Sequence, residues 1–378
     1  MRSARRTQYI KDSLKIFSEV AICGRYEFEY DLMPCRSTGM PIKKRMNLLM
    51  AGGNLIYRNP RPWSWPIHMS IELTNYCNLS CEVCPTGTGR LKRERKAMDP
   101  ALFERLLNEA GPYLLTAALW GWGEPLLHPE ISDILRIQHN RGITTFLSTN
   151  GQKLEDDRVL QALIDHPPTY LIVCLDGLTD ETNSKFRTGA RLAPALNGVR
   201  ELARMKKERH TRFPILHHRF IAMSHNEHEL TELPEFSAAN QFDLLTIRTL
   251  SIIDAPDDSF KKFKPSNKDL CAYEYDNGRT IERKDFICEK PFTFPAVFTD
   301  GSVTACDQDC NAQEVFGNIA DGMAFKEVWH GERAKEIRRT IRDRFESFSF
   351  CVNCPFKNRP KTDCSIKSYI LNRETFED

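Results

Sequence analysis

Between residues 67 and 250, short runs of β-branched and apolar side chains alternate with longer stretches whose apolar residues recur at helical spacing. That alternation is the signature of repeated βα units built round a parallel sheet. It predicts six strands, at 69–73, 116–120, 144–148, 170–175, 216–223 and 244–250. Between the first two, Asp99 suits an N-cap and Pro100 the first helical position. Leu102, Phe103, Leu106 and Leu107 then share one helix face, and Gly111-Pro112 ends it. Further helices are expected to begin near Pro129, Glu155, Pro194 and Glu227. Six units fall short of the eight that close a barrel, so the expected α/β fold is a partial (β/α)6 TIM-like barrel with its chemistry at the C-terminal strand ends.

Outside that region the pattern changes. Residues 1–66 carry an amphipathic stretch and a Pro/Trp-rich lead-in, Pro60-Arg61-Pro62-Trp63-Ser64-Trp65-Pro66, expected to be an extension packed on the barrel. Residues 251–287 are charged and strand-poor, as a linker would be. Residues 288–378 form a small Cys-rich module, with a hairpin at 296–304 turned by Asp300-Gly301 and a helix at about 325–344.

Composition narrows the class. The chain has 378 residues, with 53 Lys and Arg against 51 Asp and Glu. A net charge of +2 argues against a strongly basic nucleic-acid binder. The most apolar runs, such as 170–175, are strand-length and far from the ~18 residues of a membrane helix. Lys11, Asp12, Lys15 and Glu19 interrupt any signal-peptide core, so a cytoplasmic location is expected.

Thirteen cysteines then stand out. Disulfides are rare in reducing compartments, which makes metal or redox chemistry the better expectation. Cys23, Cys35, Cys174 and Cys271 stand alone and read as small buried hydrophobes. Cys77, Cys81 and Cys84 form a Cys-x3-Cys-x2-Cys loop directly after the first strand. Iron–sulfur clusters and structural zinc both ordinarily take four protein ligands, so three thiolates leave one metal position open to a small molecule. A zinc site completed by a distant His or Cys is the alternative.

This loop resembles the radical S-adenosylmethionine (SAM) superfamily, whose hallmark it is, and the resemblance extends over residues 67–250. Gly121-Trp122-Gly123-Glu124-Pro125, after the second strand, resembles the Gly-Gly-Glu-Pro motif that receives the SAM amino group. Ser148 and Asn150 after the third strand, Asp176 after the fourth, Arg187, and Asn226 after the fifth look like cofactor- or substrate-facing positions. The resemblance implies SAM and a [4Fe–4S] cluster held by Cys77, Cys81 and Cys84. It also implies reductive SAM cleavage, fed by a flavodoxin- or ferredoxin-like donor. Glu124 would accept from the SAM ammonium, and glycines beside it would let the backbone approach closely. Val83 departs from the pattern, because many members carry an aromatic residue there.

Cys288, Cys306, Cys351, Cys354 and Cys364 resemble the SPASM and twitch modules appended to some radical SAM enzymes, which bind auxiliary [4Fe–4S] clusters. Where the full SPASM pattern has a further Cys beyond Cys354, this chain has Pro360. Cys288, Cys306, Cys351 and Cys354 match the single-cluster twitch arrangement. Cys310 and Cys364 are left for a second cluster or for no metal, and a zinc ribbon remains the alternative. A fully ligated cluster has electron transfer as its work, which points to oxidation. Asp307 stands where the related sulfatase-maturating enzymes carry an acidic residue proposed as a base.

The resulting expectation is a SAM-radical oxidoreductase acting on a small hydroxylated, sugar- or cyclitol-like molecule. Two alternatives stand beside it: oxidation or crosslinking of a peptide, and modification of nucleic acid with a zinc-stabilised C-terminal module. For the last, the run Arg90-Leu91-Lys92-Arg93-Glu94-Arg95-Lys96 is the one local feature, and a solvated loop is its ordinary meaning.

Overall fold

The structure is a computed structural model that describes residues 16–30, 32–251, 261–271, 275–276, 279–280, 286–352, 354–358 and 364–376. Most of the expected linker, and Pro360, lie outside the described residues. Strands β1 (Tyr26–Tyr30) and β2 (Met33–Ser37) form an antiparallel hairpin ahead of the barrel. The extension is not among the predicted strands, although Tyr-Glu-Phe-Glu-Tyr alternates as a half-buried strand should, with both glutamates exposed. Helix α1 (Ile42–Tyr57) follows and ends on Arg58 in the left-handed region.

The barrel strands are β3 (His68–Ile71), β4 (Thr116–Leu119), β5 (Thr144–Thr149), β6 (Tyr170–Cys174), β7 (Ile215–Ala222) and β8 (Leu244–Thr249). All six are parallel and pair in chain order, each within two residues of its expected limits. The connecting helices are α2 (Pro100–Ala110), α3 (Ile131–Gln138), α4 (Asp157–Asp165), α5 (Asp180–Phe186), α6 (Leu192–Glu208) and α7 (Leu233–Ala239). Asp99 caps α2 as expected, its side chain accepting from Ala101 N. Helix α5 is an addition, capped by Thr179 and inserted between β6 and α6. No described helix is long and apolar enough to cross a membrane.

Among the described residues, the short strands β9 (Tyr275–Asp276) and β10 (Arg279–Thr280) pair with each other. The C-terminal segment continues the barrel sheet at both of its edges. Strand β11 (Ala296–Val297) runs parallel to β3, then turns back through Gly301 into β12 (Ser302–Thr304), which pairs with β13 (Val315–Asn318). At the far edge β14 (Ser365–Ile370) pairs antiparallel with β8. The result is one ten-stranded sheet, ordered β13-β12-β11-β3-β4-β5-β6-β7-β8-β14. The single helix expected at 325–344 is broken at Gly331 into α8 (Phe325–His330) and α9 (Glu332–Arg344), because Gly331 takes an extended conformation.

Two apolar layers result. Outward-facing residues such as Ile71, Leu119, Leu147 and Val173 pack against the helices. Inward-facing Phe146, Tyr170, Ile172, Ile215 and Leu244 pack against Met33 and Cys35 of the hairpin, which thereby closes the barrel floor. Tyr30 stacks on Phe146 at 4.6 Å, and Phe146 on Tyr170 at 5.1 Å. Phe146→Ala removes the ring shared by floor and wall. Equilibrium denaturation is expected to show a loss of about 3–5 kcal/mol, and a loss below ~1 kcal/mol would mean that the floor does not depend on this stack.

Candidate functional site

The three cysteines of the loop after β3 gather round a small apolar cluster of Leu79, Cys81 and Ala190, with Cys77 and Cys84 packed against it. Burial pushes the Cys77 thiol up to about 11, and the neighbouring Glu124, Cys81 and Cys84 charges push the same way. Cys81 is raised chiefly by burial and opposed by Arg187. Loading metal here must therefore displace protons from the thiols. Leu79 N and Asn150 Nδ2 donate to Cys77 Sγ at 3.4 and 3.5 Å. Three thiols with amide donors at their edge, and no fourth cysteine in the loop, suit a [4Fe–4S] cluster that keeps one iron for an exchangeable ligand. Among the described residues, no three His, Cys, Asp or Glu side chains gather as closely as a single metal ion needs.

Glu124 is not a surface residue. It is buried after β4, and its carboxylate accepts from Leu126 N, Thr149 Oγ1 and Asn150 N at 3.0, 2.7 and 2.7 Å. Burial raises it, and those three donors and Arg187 oppose the shift. Thr149 is thus a site residue that the sequence left unmarked between Ser148 and Asn150. The motif's glycines have a closer reason than cofactor approach: a Cβ on Gly123 would lie 2.2 Å from the Thr74 carbonyl oxygen, and one on Gly121 2.5 Å from Glu72 Cγ. Pro125 opens the short 3-10 turn that follows Glu124.

The remaining sequence-marked positions divide. Asn150 bridges to Asn78 Oδ1 at 2.8 Å, and Ser148 Oγ lies 3.3 Å from Cys174 Sγ. Asp176 is wholly buried and structural in its contacts, one oxygen accepting from Ile221 N at 2.7 Å and the other from Arg187 Nε at 2.6 Å. Its role is to aim Arg187 toward Cys81 and Glu124. Asn226 spends its amide on the Asp176 and Ile221 carbonyls, both at 2.9 Å, and accepts from Met223 N. Val83 packs beside Phe186, Met223, Leu250 and Phe263. Of the isolated cysteines Cys35 and Cys174 are buried, but Cys23 is exposed and Cys271 only half-buried, against expectation.

A second group of thiols lies at the β11–β12 edge. After burial, which dominates throughout, Cys288 is raised by Cys354, Cys306 first by Asp307 and then by Cys351 and Cys288, and Cys351 by Cys288 and Cys354. These four cysteines form one mutually interacting set, and their chemistry suits a fully ligated [4Fe–4S] cluster. Cys364 is buried, with its carbonyl accepting from Thr249 N. Cys310 presents its carbonyl to Arg93 Nε at 2.7 Å. Asp307 pairs with Lys290 Nζ at 2.9 Å. Burial acts to raise its carboxyl, but Lys290, with hydrogen bonds from Gln308 and the backbone, holds it below the usual carboxylate value.

The two groups are joined through Arg93 of the basic run, while Lys92, Glu94, Arg95 and Lys96 of the same run are exposed, as in a solvated loop. Arg93 and Glu72 form a bidentate ion pair at 2.6 and 2.7 Å, with side chains 7% and 1% exposed. The guanidinium lies over Phe298, 4.0 Å from the ring centroid. Glu72 also accepts from Trp122 N at 3.0 Å, and Trp122 Nε1 donates to the Asp307 carbonyl at 2.9 Å. Lys92 N donates to Asn311 Oδ1 at 2.7 Å. Sequence pattern could not mark Arg93 within a run of like charges.

Comparison with known proteins gives a concordant picture. The family model of the radical SAM superfamily matches residues 71–224, and that of the SPASM iron–sulfur cluster-binding domain matches residues 288–355. The tungsten-containing aldehyde ferredoxin oxidoreductase cofactor-modifying protein of Pyrococcus furiosus is 26% identical over 77% of this chain and 88% of its own length. The S-adenosyl-L-methionine-dependent 2-deoxy-scyllo-inosamine dehydrogenase of Niallia circulans is 22% identical over 76% of this chain and 91% of its own. In fold, the chain resembles Streptococcus suis SuiB bound to S-adenosylmethionine, with a TM-score of 0.60 at 17% identity, covering 82% of this chain and 76% of that one.

Removing one partner of the Glu72–Arg93 pair strands a buried charge. Arg93→Met is expected to cost about 3–5 kcal/mol in denaturant unfolding, and the double variant Glu72→Gln/Arg93→Met distinctly less than the sum of the two singles. Additive costs would show that the pair does not act as a unit.

Proposed function

We propose, for a chain that belongs to the radical SAM superfamily and carries an SPASM iron–sulfur cluster-binding domain at its C-terminus, that it oxidises a small hydroxylated, sugar- or cyclitol-like substrate. Membership brings SAM, a [4Fe–4S] cluster and auxiliary iron–sulfur ligation as its cofactors. Bound together, SAM and its cluster supply a 5′-deoxyadenosyl radical able to take a hydrogen atom from a substrate carbon. Cys77, Cys81 and Cys84 are the residues to hold that cluster. Glu124, fixed by three donors, is the acceptor for the SAM ammonium. Arg187, with Ser148 and Asn150, lines the same strand ends.

The observation that carries the oxidative reading is the set of Cys288, Cys306, Cys351 and Cys354. Four thiolates saturate a cluster, which leaves electron transfer as its work. A substrate carbon that bears OH and has lost a hydrogen atom must still lose one proton and one electron to become a carbonyl. Asp307, paired with Lys290 and adjacent in sequence to Cys306, is the group to take the proton, and a cluster held by the four cysteines would supply the acceptor for the electron. The match to an S-adenosyl-L-methionine-dependent dehydrogenase supports this direction of reaction.

Anaerobic reconstitution tests the assignment. Iron analysis is expected to give about eight irons per chain, falling to about four when Cys77, Cys81 and Cys84 are all replaced by Ala. That variant should lose SAM cleavage. Cys351→Ala and Cys354→Ala should still cleave SAM without forming oxidised product. About four irons together with one zinc would remove the electron acceptor and with it the oxidative reading.

A further inference from the structure

Helix α1 is built the wrong way round for a helix that only packs on a barrel. Its inward face buries Lys44, Asn47 and Asn54 beside Leu48 and Ala51. Those polar groups are satisfied there. Lys44 Nζ donates to the Gly142 carbonyl at 2.5 Å, Asn47 Nδ2 to the Trp65 and Tyr113 carbonyls at 3.3 and 3.2 Å, and Asn54 Nδ2 to Ser64 Oγ at 2.6 Å. The residues of α1 that stand exposed are Ile42, Lys43, Met46, Gly52, Ile56 and Tyr57. Only one of them carries a charge. Ile42, Met46, Ile56 and Tyr57 fall on a single stripe at helical spacing, and the last two are 76% and 70% exposed.

The stripe continues beyond the helix at both ends. Trp63 is exposed beside Tyr57, with ring centroids 5.8 Å apart, where a Cβ on Gly53 would come within 3.4 Å of the indole. Arg45 Nη1 donates to the Ala21 and Ile22 carbonyls at 3.3 and 3.0 Å, which holds the turn bearing exposed Phe17 and Ile22 along the first half of α1. Of the eleven large apolar side chains exposed among the described residues, eight lie between Ile16 and Trp63. So strong a concentration marks a surface that is covered in use. Its charge is one-signed. Residues 32–71 contain six Lys and Arg and no Asp or Glu. Lys43 stands exposed at the edge of the stripe, Arg58 follows the last turn of α1, and Arg61 pairs with Glu332 at the Trp63 end.

We propose that α1 docks the protein, lying flat, on an anionic lipid bilayer, with Ile42, Met46, Ile56, Tyr57 and Trp63 entering the headgroup boundary and Lys43 and Arg58 meeting lipid phosphates. An exposed apolar stripe with a cationic border is the make-up of an interfacial helix, and Tyr and Trp are the side chains that settle at headgroup depth. Charge and position argue against other occupants. A second copy seated on the face would set one basic surface against another. An electron donor seated there would be at the wrong end of the barrel. The Trp65, Tyr113 and Gly142 carbonyls that α1 binds precede β3, β4 and β5, whereas the cysteine loop follows β3. The bilayer lies under the N-terminal strand ends and leaves the cofactor end facing water.

The test is co-sedimentation of the anaerobically reconstituted full chain with vesicles of phosphatidylcholine alone or of equimolar phosphatidylcholine and phosphatidylglycerol. Binding to the mixed vesicles is expected to exceed binding to phosphatidylcholine by about 10-fold or more and to weaken as salt is added. Ile56→Ser combined with Tyr57→Ser should weaken it roughly 10- to 100-fold, and Lys43→Glu about 10-fold. These side chains are exposed, so iron content and thermal unfolding of both variants should match the wild type. Ile370→Ser removes an exposed apolar side chain from β14, at the far edge of the sheet, and should bind as the wild type does. Three results would overturn the proposal: no binding to mixed vesicles, wild-type binding by the Ile56→Ser/Tyr57→Ser protein, or an equal loss in Ile370→Ser. A wild type that ignores vesicles but forms a dimer that Ile56→Ser/Tyr57→Ser abolishes would give the face to a second copy instead. The inference stands apart from the oxidative reading, whose iron and SAM-cleavage measurements need no lipid.

Discussion

The ion pair between Glu72 and Arg93 is the constraint on which the rest of the site depends. Glu72 directly follows the first barrel strand, and Arg93 lies on the excursion between the cysteine loop and α2. Two charges so thoroughly removed from water are tolerable only together and only with their remaining hydrogen-bonding capacity filled. The filling is what matters here. The carboxylate also accepts from Trp122 N and Thr299 N, and the guanidinium also donates to the Cys310 carbonyl. One pair thereby fixes the cysteine loop, the glycine-rich turn after β4 and the loop that carries Cys306 in a single frame.

That frame ties together two groups of cysteine that lie some two hundred positions apart in the chain. The C-terminal segment extends the barrel sheet beside β3 and returns to pair with β8. The Trp122 indole, standing between the two motif glycines, reaches the backbone of Asp307. Beneath them the β1–β2 hairpin seals the barrel with aromatic and apolar side chains. The lumen is thus apolar at its floor and polar at its rim, as a site needs to be if it is to orient a polar substrate while keeping a reactive species from water.

Much of this was legible in the chain. The six barrel strands follow from period-two and continuous apolar runs, and the α2 cap from Asp99 and Pro100. The Cys77, Cys81 and Cys84 loop stands out by its spacing, and Glu124 and the set of Cys288, Cys306, Cys351 and Cys354 by their resemblance to radical SAM and SPASM motifs. What was not legible shares a cause. Arg93 sits in a run of seven residues of which five are basic, and nothing local tells the buried member from its solvated neighbours. Nothing local shows that the Asp176 carboxylate accepts from Ile221 N and Arg187 Nε.

Sequence alone determined the βα order, through local periodicity, and marked the candidate ligands, through the spacing of one cysteine loop and a resemblance to known motifs that also implies the class of cofactor. Tertiary structure decided which charges are buried together, which carboxylates hold other side chains and which can meet a ligand, and which strand faces look into the lumen. Those outcomes depend on desolvation and on contacts between residues far apart in the chain, and a sequence read in one dimension carries no record of either.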